Sequence, residues 1–269
     1  MISEILINGE VSDGQIPVTD SSVLRGDGCF EVLKSYKDVP FAVAEHLDRL
    51  ERSASALQLT LPAHDLMAGW VGRVAVGLGD AVVRVVATRG SSVAGQPGDP
   101  MVIVFAHTWE GDQGPTRLYP VAAPWHSAGE AWDLMGAKIL SYAPNLSTTR
   151  HAQNQGFDDA VLLARDGTVL EGPTFSVGWV IDGVLETPEL GLGILDSITR
   201  AMVLEDARSV GIEVIEGRWT LDRVGEADEV MALSTTREVQ PVAALGDMAF
   251  SEGPVTSRLA RVFAQRFAS

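Results

Sequence analysis

The sequence predicts a two-part chain in which both parts mix strands and helices, an α+β / α/β two-domain organisation. Three observations carry that expectation. A chain of 269 residues suffices for one large domain or two smaller ones. Short apolar, β-branched runs alternate along it with apolar residues at helical spacing. A polar, turn-rich stretch at 108–116 (Thr-Trp-Glu-Gly-Asp-Gln-Gly-Pro-Thr) reads as a linker. The expected division is a small α+β domain at 1–107, a linker at 108–115 and a larger domain at 116–269, which carries Lys138.

The elements follow in order. Residues 3–10 read as a strand entering an Asn-Gly turn, the commonest hairpin signal. A second strand at 30–36 turns at Lys37-Asp38 into residues 40–43. From 45 to 57, Leu47, Leu50, Ala54 and Leu57 recur at helical spacing, and 63–77 predicts another helix with Leu66, Trp70 and Val74 on one face. Residues 82–88 and 101–106 are buried strands, so the first half is a mostly antiparallel sheet with two helices. Beyond the linker, strands are expected at 117–122, 160–164, 177–181, 213–216 and 230–233. Helices are expected near 146–155, over 198–210 and at 255–267.

Composition excludes several function classes. The net charge of −16 would repel nucleic acid and anionic membranes, so neither is an expected partner. Cys29 is the single cysteine, which rules out an intrachain disulfide. The five histidines are scattered without a metal-ligand spacing. No apolar run reaches the ~18 residues of a membrane span, and the N-terminus carries no signal-peptide pattern. A soluble, cytoplasmic protein is expected. An acidic chain that handles a small anionic molecule must concentrate positive charge locally.

Chemistry centres on Lys138, in Gly136-Ala-Lys-Ile-Leu-Ser-Tyr-Ala-Pro-Asn145. The other lysines are Lys34 and Lys37, and every later cation is otherwise arginine. Lysine can lose its proton and attack a carbonyl carbon, which arginine cannot. Leu134, Met135, Ile139, Leu140 and Tyr142 would desolvate the ammonium and lower its pKa; the alternative is an ordinary surface lysine. Gly191-Leu-Gly-Ile-Leu-Asp-Ser-Ile-Thr-Arg200 runs from a glycine-bearing loop into a helix start. Ser197 or Asp196 can cap it, and the Ile198 and Thr199 amides would form an anion cradle. Ser234-Thr-Thr236 adds hydroxyls, and Arg49 could clamp the same anion bidentately. Glu171 precedes a Gly-Pro turn and could protonate a ring nitrogen. One cofactor, pyridoxal 5′-phosphate, explains the lysine, cradle and carboxylate together.

Arg25-Gly-Asp-Gly-Cys-Phe-Glu31, Glu45-His-Leu-Asp-Arg-Leu50, Lys138, Val169-Leu-Glu-Gly172, Ser197-Ile-Thr-Arg200 and Ser234-Thr-Thr-Arg-Glu-Val-Gln-Pro241 occur in that order. In these motifs, which span nearly the whole chain, it resembles the class-IV (fold-type IV) pyridoxal-phosphate enzymes. That family holds branched-chain and D-amino-acid aminotransferases and 4-amino-4-deoxychorismate lyases. The resemblance implies the family's two-domain fold with the cofactor between the domains, and a homodimer. It makes Lys138 the Schiff-base lysine that also moves the substrate Cα proton, and Glu171 the partner of the pyridine nitrogen. Arg49, Ile198, Thr199 and Thr235 match the phosphate-binding groups, and Tyr142 looks like the tyrosine near the cofactor's ring hydroxyl. Thr236, Phe30, Arg25 and Arg84 are the substrate-side candidates. Ser176 stands where many members carry Asn.

Among subgroups, the stretch at 88–95 (Thr-Arg-Gly-Ser-Ser-Val-Ala-Gly) lacks the Arg-x-His pair typical of D-amino-acid aminotransferases. It also lacks the Gly-Met-Gly loop of branched-chain enzymes, although Arg84 resembles their substrate-side arginine. Gly26-Asp-Gly-Cys-Phe30 and Arg89-Gly-Ser91 resemble the lyases more closely. The expected reaction is therefore release of pyruvate and 4-aminobenzoate from aminodeoxychorismate, for folate biosynthesis, with Arg25 helping to hold a dianionic substrate. Transamination of branched-chain or D-amino acids is the alternative.

Overall fold

The computed structural model describes residues 1–91, 98–111 and 114–268. Residues 112–113 of the expected linker and 92–95 of the stretch that distinguishes the subgroups lie outside the described residues. The chain divides into two compact units, Met1–Gly111 with Ala137–Tyr142, and Asp112–Gly136 with Ala143–Ser269.

The first unit begins with strands β1 (Ile5–Ile7) and β2 (Glu10–Ser12). Asn8 and Gly9 take φ of 49° and 86° between them, the left-handed pair a tight hairpin requires. A short helix, α1 (Ser21–Arg25), precedes β3 (Gly28–Tyr36) and β4 (Val39–Pro40). Helices α2 (Val43–Ala56) and α3 (His64–Ala75) and strands β5 (Ala81–Thr88) and β6 (Met101–Thr108) complete it. The sheet order is β2-β1-β6-β5-β3-β4, antiparallel throughout. Strand alternation sends Cys29 and Leu33 of β3 and Val83 and Val85 of β5 into one core with Leu47 and Leu50 of α2. Each large side chain so buried contributes about 1.5–3 kcal/mol. Burial, together with the Glu31 and Glu51 charges, pushes the Cys29 thiol up to about 12, so it is inert packing.

One helix face differs from expectation. On α3 the buried residues are Met67, Val71, Val74 and Ala75, whereas Leu66 is exposed. Spacing of 3.6 makes 67, 71 and 74 one stripe, and Trp70 at its flank covers Gly9 instead.

The second unit contains β7 (Thr116–Ala122), α4 (Ala143–Asn154), β8 (Asp159–Leu163), β9 (Ser176–Ile181) and β10 (Val184–Pro188). There follow α5 (Ile198–Ser209), β11 (Val214–Gly217), α6 (Leu221–Val224), β12 (Glu229–Ser234), β13 (Glu238–Leu245), β14 (Met248–Ala249) and α7 (Pro254–Ala264). These strands form one mixed sheet in the order β11-β10-β9-β12-β13-β7-β8, with β14 on β13. Trp179, fully buried on β9, packs with Val161, Val177, Val230 and Val242 in its core. Strand β13 is not among the expected strands; Pro241 within it cannot donate to a ladder, yet it pairs with Met231.

The sequence-based division assigned Lys138 to the larger domain. The structure corrects that placement, because Ala137–Tyr142 belongs to the first unit. Strand β4 covers only Ser35 and Tyr36 of β3, so that edge is open at the start of the strand. The lysine segment fills it: Phe30 N donates to the Lys138 carbonyl at 3.0 Å, and Leu140 N to that of Gly28 at 2.8 Å.

Candidate active site

Two glycines let the Lys138 segment lie against β3. Gly26, at φ 69°, ends α1, and a Cβ there would stand 2.7 Å from Ser141 Oγ. A Cβ on Gly28 would collide with the Ala87 carbonyl oxygen and reach 2.7 Å from Leu140 Cδ1. On the other side, the Lys138 amide donates to Ser53 Oγ of α2 at 3.0 Å. The backbone of the lysine is thus held by a strand and a helix. Its Nζ lies 4.5 Å from the Phe30 ring centroid and 5.9 Å from that of Tyr142. These two rings meet edge to face at 5.4 Å. Of the neighbours expected from the sequence, Tyr142 does flank the amine, and Phe30 joins it. Met135, counted among those neighbours, is 38% exposed and lies against Gly193.

Of the substrate-side candidates in the first unit, Phe30 is the one whose ring flanks this lysine. Val32 and Arg84 are direct cross-strand partners, so Arg84 shares the sheet face of Phe30. Arg25 is exposed at the end of α1, and Ser141 Oγ donates to the carbonyls of Arg25 at 3.4 Å and Gly26 at 3.2 Å.

Arg49 sits one helical turn before Ser53, but its environment holds a group the sequence reading missed. Glu31, fully buried, accepts from Arg49 Nε at 2.7 Å and Nη2 at 2.8 Å, and from His46 Nδ1 at 2.7 Å. Burial alone would raise the Glu31 pKa. The hydrogen bonds and charges of Arg49 and His46 outweigh it and bring it to about 2. His46 is shifted down, chiefly by burial, against the upward pull of its hydrogen bond and charge interaction with Glu31. The bidentate edge expected to clamp phosphate is therefore spent on Glu31. The signal was present in the sequence: strand alternation puts Glu31 on the buried face of Cys29 and Leu33, and a buried carboxylate must be paired.

The remaining candidates lie in the second unit. Glu171 is half-buried, and its carboxylate accepts from Leu195 N at 3.2 and 3.3 Å. Leu195 leads directly into α5, whose N-cap is Ser197, accepting from Arg200 N at 3.2 Å. The Ile198 and Thr199 amides fall in the first turn, where helical geometry supplies no intrahelical acceptor. Thr235 and Thr236 lie in the three-residue loop between β12 and β13, which closes on Glu238 at φ 53°. Ser176 stands one register position away, opposite Leu233, and its buried Oγ has no hydrogen-bond partner among the described residues. Glu171, the α5 amides and the Thr235–Thr236 loop are thus gathered at the ends of β9 and β12. Among the described residues no group of acidic, His and Cys side chains could hold a metal.

The description of the class IV amino-transferase family matches residues 28–245. A Methanocaldococcus jannaschii protein provisionally named a branched-chain-amino-acid aminotransferase is 30% identical, over 97% of this chain and 95% of its own length. The aminodeoxychorismate lyase of Bacillus subtilis is 27% identical over 95% of this chain and 92% of its own. A D-alanine aminotransferase of Listeria monocytogenes is 28% identical over 97% and 95%. Among solved structures, a fold IV transaminase of Curtobacterium pusillum superposes with a TM-score of 0.87 at 28% identity, over the whole of both chains. The branched-chain aminotransferase of the thermophilic archaeon Thermoproteus uzoniensis, solved with norvaline, gives 0.89 at 25% identity, over 98% of this chain and 94% of its own.

Proposed function

Because the chain belongs to the class IV aminotransferase family, we propose that it transfers the amino group of an amino acid to a 2-oxo acid, with Lys138 as the catalytic residue. The family's enzymes depend on pyridoxal 5′-phosphate, and that is the cofactor here. The residues present fit it: an anion-binding helix start, neighbouring threonine hydroxyls, a buried Ser176 hydroxyl awaiting a partner and a positioned carboxylate. When bound, the cofactor supplies an electron sink for the pair left by the substrate Cα–H bond. Lys138 anchors it and takes and returns the Cα proton. Glu171 holds a proton on the pyridine nitrogen. Ile198, Thr199 and Thr235 bind the phosphate together with Arg49, and Tyr142 contacts the ring hydroxyl. Phe30, Arg84, Arg25 and Thr236 line the substrate side.

The observation that carries this reading is Lys138 itself. Its backbone is pinned by β3 and α2 while its amine lies over the Phe30 ring, a combination that makes an aimed, flanked nucleophile. The preference for transamination over lysis comes from Asp27 and Arg89. These residues belong to the two short stretches that resemble the lyases, and they form one bidentate ion pair at 2.6 and 3.0 Å. The two stretches are therefore one structural feature, and its guanidinium is committed to Asp27 and the Leu57 carbonyl. A specific observation still favours the lyase as second reading. Arg25 offers an exposed cation beside the lysine segment, suited to the second carboxylate of aminodeoxychorismate. It would equally suit a dicarboxylate 2-oxo acid. The resemblance further supports a homodimeric, cytoplasmic enzyme; no helix among the described residues is long and apolar enough to cross a membrane.

The test runs two assays in parallel: branched-chain and D-amino acids with 2-oxoglutarate, and aminodeoxychorismate alone. Oxo-acid exchange that disappears in Lys138→Ala is expected. Release of 4-aminobenzoate and pyruvate without exchange would replace transamination by lysis. Activity surviving in Lys138→Ala would end the assignment of the lysine.

A further inference from the structure

Arg237 follows the two threonines of the β12–β13 loop and has no part in the chemistry assigned so far. Its side chain is only 15% exposed. The backbone amide closes the loop by donating to Ser234 Oγ at 3.2 Å. From the guanidinium, Nη1 donates to Gln240 Oε1 at 2.6 Å and Nη2 to Asp159 Oδ2 at 2.8 Å. Asp159 is itself fixed, because its Oδ1 accepts from Thr149 Oγ1 at 2.8 Å and from the Ala160 amide at 2.9 Å. The planar group lies 4.5 Å from the centroid of the Phe175 ring, which is buried. That ring reaches back to Gly172, where any Cβ would run into it, and Gly172 N donates to the Phe175 carbonyl at 2.7 Å. Gly172 is the residue after Glu171.

We propose that Arg237 is a positioning residue that sets the Thr235–Thr236 loop and the Glu171 carboxylate in one geometry, acting on the second through Phe175 and Gly172. One planar cation thus ties the group assigned to the phosphate end of the cofactor to the group assigned to its ring nitrogen. The two directions are chemically separable. The charge of Arg237 is spent on Asp159 and Gln240, which anchor the loop, whereas its flat face is spent on Phe175. Lysine at this position would keep the first function and lose the second. The proposal rests on the cofactor reading above.

The test uses the full chain stripped of cofactor and titrated with pyridoxal 5′-phosphate, reading affinity and the pH midpoint of the bound cofactor's visible band. Thermal unfolding of the stripped variants is recorded alongside. Arg237→Met should weaken affinity about tenfold, the scale of a lost charge-assisted hydrogen bond, and displace the midpoint. Arg237→Lys should restore the affinity while the midpoint stays displaced. Phe175→Leu should displace the midpoint alone, and it carries the test with Arg237→Lys if Arg237→Met does not fold. Unaltered midpoints in both Arg237→Lys and Phe175→Leu would overturn the proposal. Glu171→Gln and Thr235→Ala separate the two levels. If they move midpoint and affinity respectively while the Arg237 and Phe175 variants are silent, only the positioning role fails. If they too are silent, the cofactor reading beneath it fails.

Discussion

Arg49, buried in the first unit, and Arg237, partly buried in the second, each face a buried carboxylate, yet the surroundings give the two pairs different consequences. Glu31 has no exposure, and Arg49 and His46 meet both of its oxygens. The charge state of Glu31 therefore rests on Arg49 and His46. Asp159 shares its oxygens with a threonine and a backbone amide, while Arg237 divides its donors between Asp159 and Gln240 and leans on Phe175. Burial lowers the Arg237 pKa, against the pull of Asp159. A closed ion pair in a core mainly decides stability, whereas a shared one distributes position among several neighbours.

The largest expected effect breaks the comparison if it is absent. Glu31→Ala removes the carboxylate that Arg49 and His46 share in the core and should cost about 3–5 kcal/mol, the usual penalty for losing one partner of a buried pair. Asp159→Ala should cost less, about 1–3 kcal/mol, because Arg237 keeps Gln240 and the ring. Urea denaturation of the two variants compares them directly; equal losses would show that the two pairs are energetically alike.

A smaller effect concerns acid. The folded pKa of Glu31, about 2, lies below the ordinary value of 4.5. A depressed carboxylate pKa gives stability that is complete above the unfolded value and is lost as pH falls through the folded one. Between pH 4.5 and 2 the Glu31 network should therefore surrender on the order of 3 kcal/mol. Glu31→Gln should flatten that part of the stability curve, and an unchanged acid limb would place the titration on other carboxylates.

The smallest effect comes from a third arginine pair. Asp27 and Arg89 are 28% and 24% exposed, so solvent screens them. Arg89→Ala should lower stability by about 0.5–1 kcal/mol, which thermal unfolding can read. The reaction type should be unchanged, since the pair holds the loop after β5 to the start of β3. A switch between exchange and lysis in this variant would give Arg89 a substrate role.

Much of the fold was legible from local chemistry. Asn8-Gly9 and Lys37-Asp38 do make left-handed turns, and Leu47, Leu50 and Ala54 do line the buried face of α2. Ser197 does cap α5. These are short-range preferences, and residues a few positions apart decide them. Where the reading failed, a distant partner was responsible. Strand β13 was missed although β12 supplies its neighbours, and the Lys138 segment groups with the first unit because β3 offers it an open edge.

By itself the sequence determined the turns, most helix spans and the chemical types in the candidate site: a lysine among arginines, a capped helix start, a hydroxyl loop and a carboxylate before Gly-Pro. Only the tertiary structure decided which carboxylate each arginine meets. Glu31 lies 18 residues from Arg49, and Asp159 lies 78 from Arg237. Strand register and helix packing close those distances, and no local propensity encodes them.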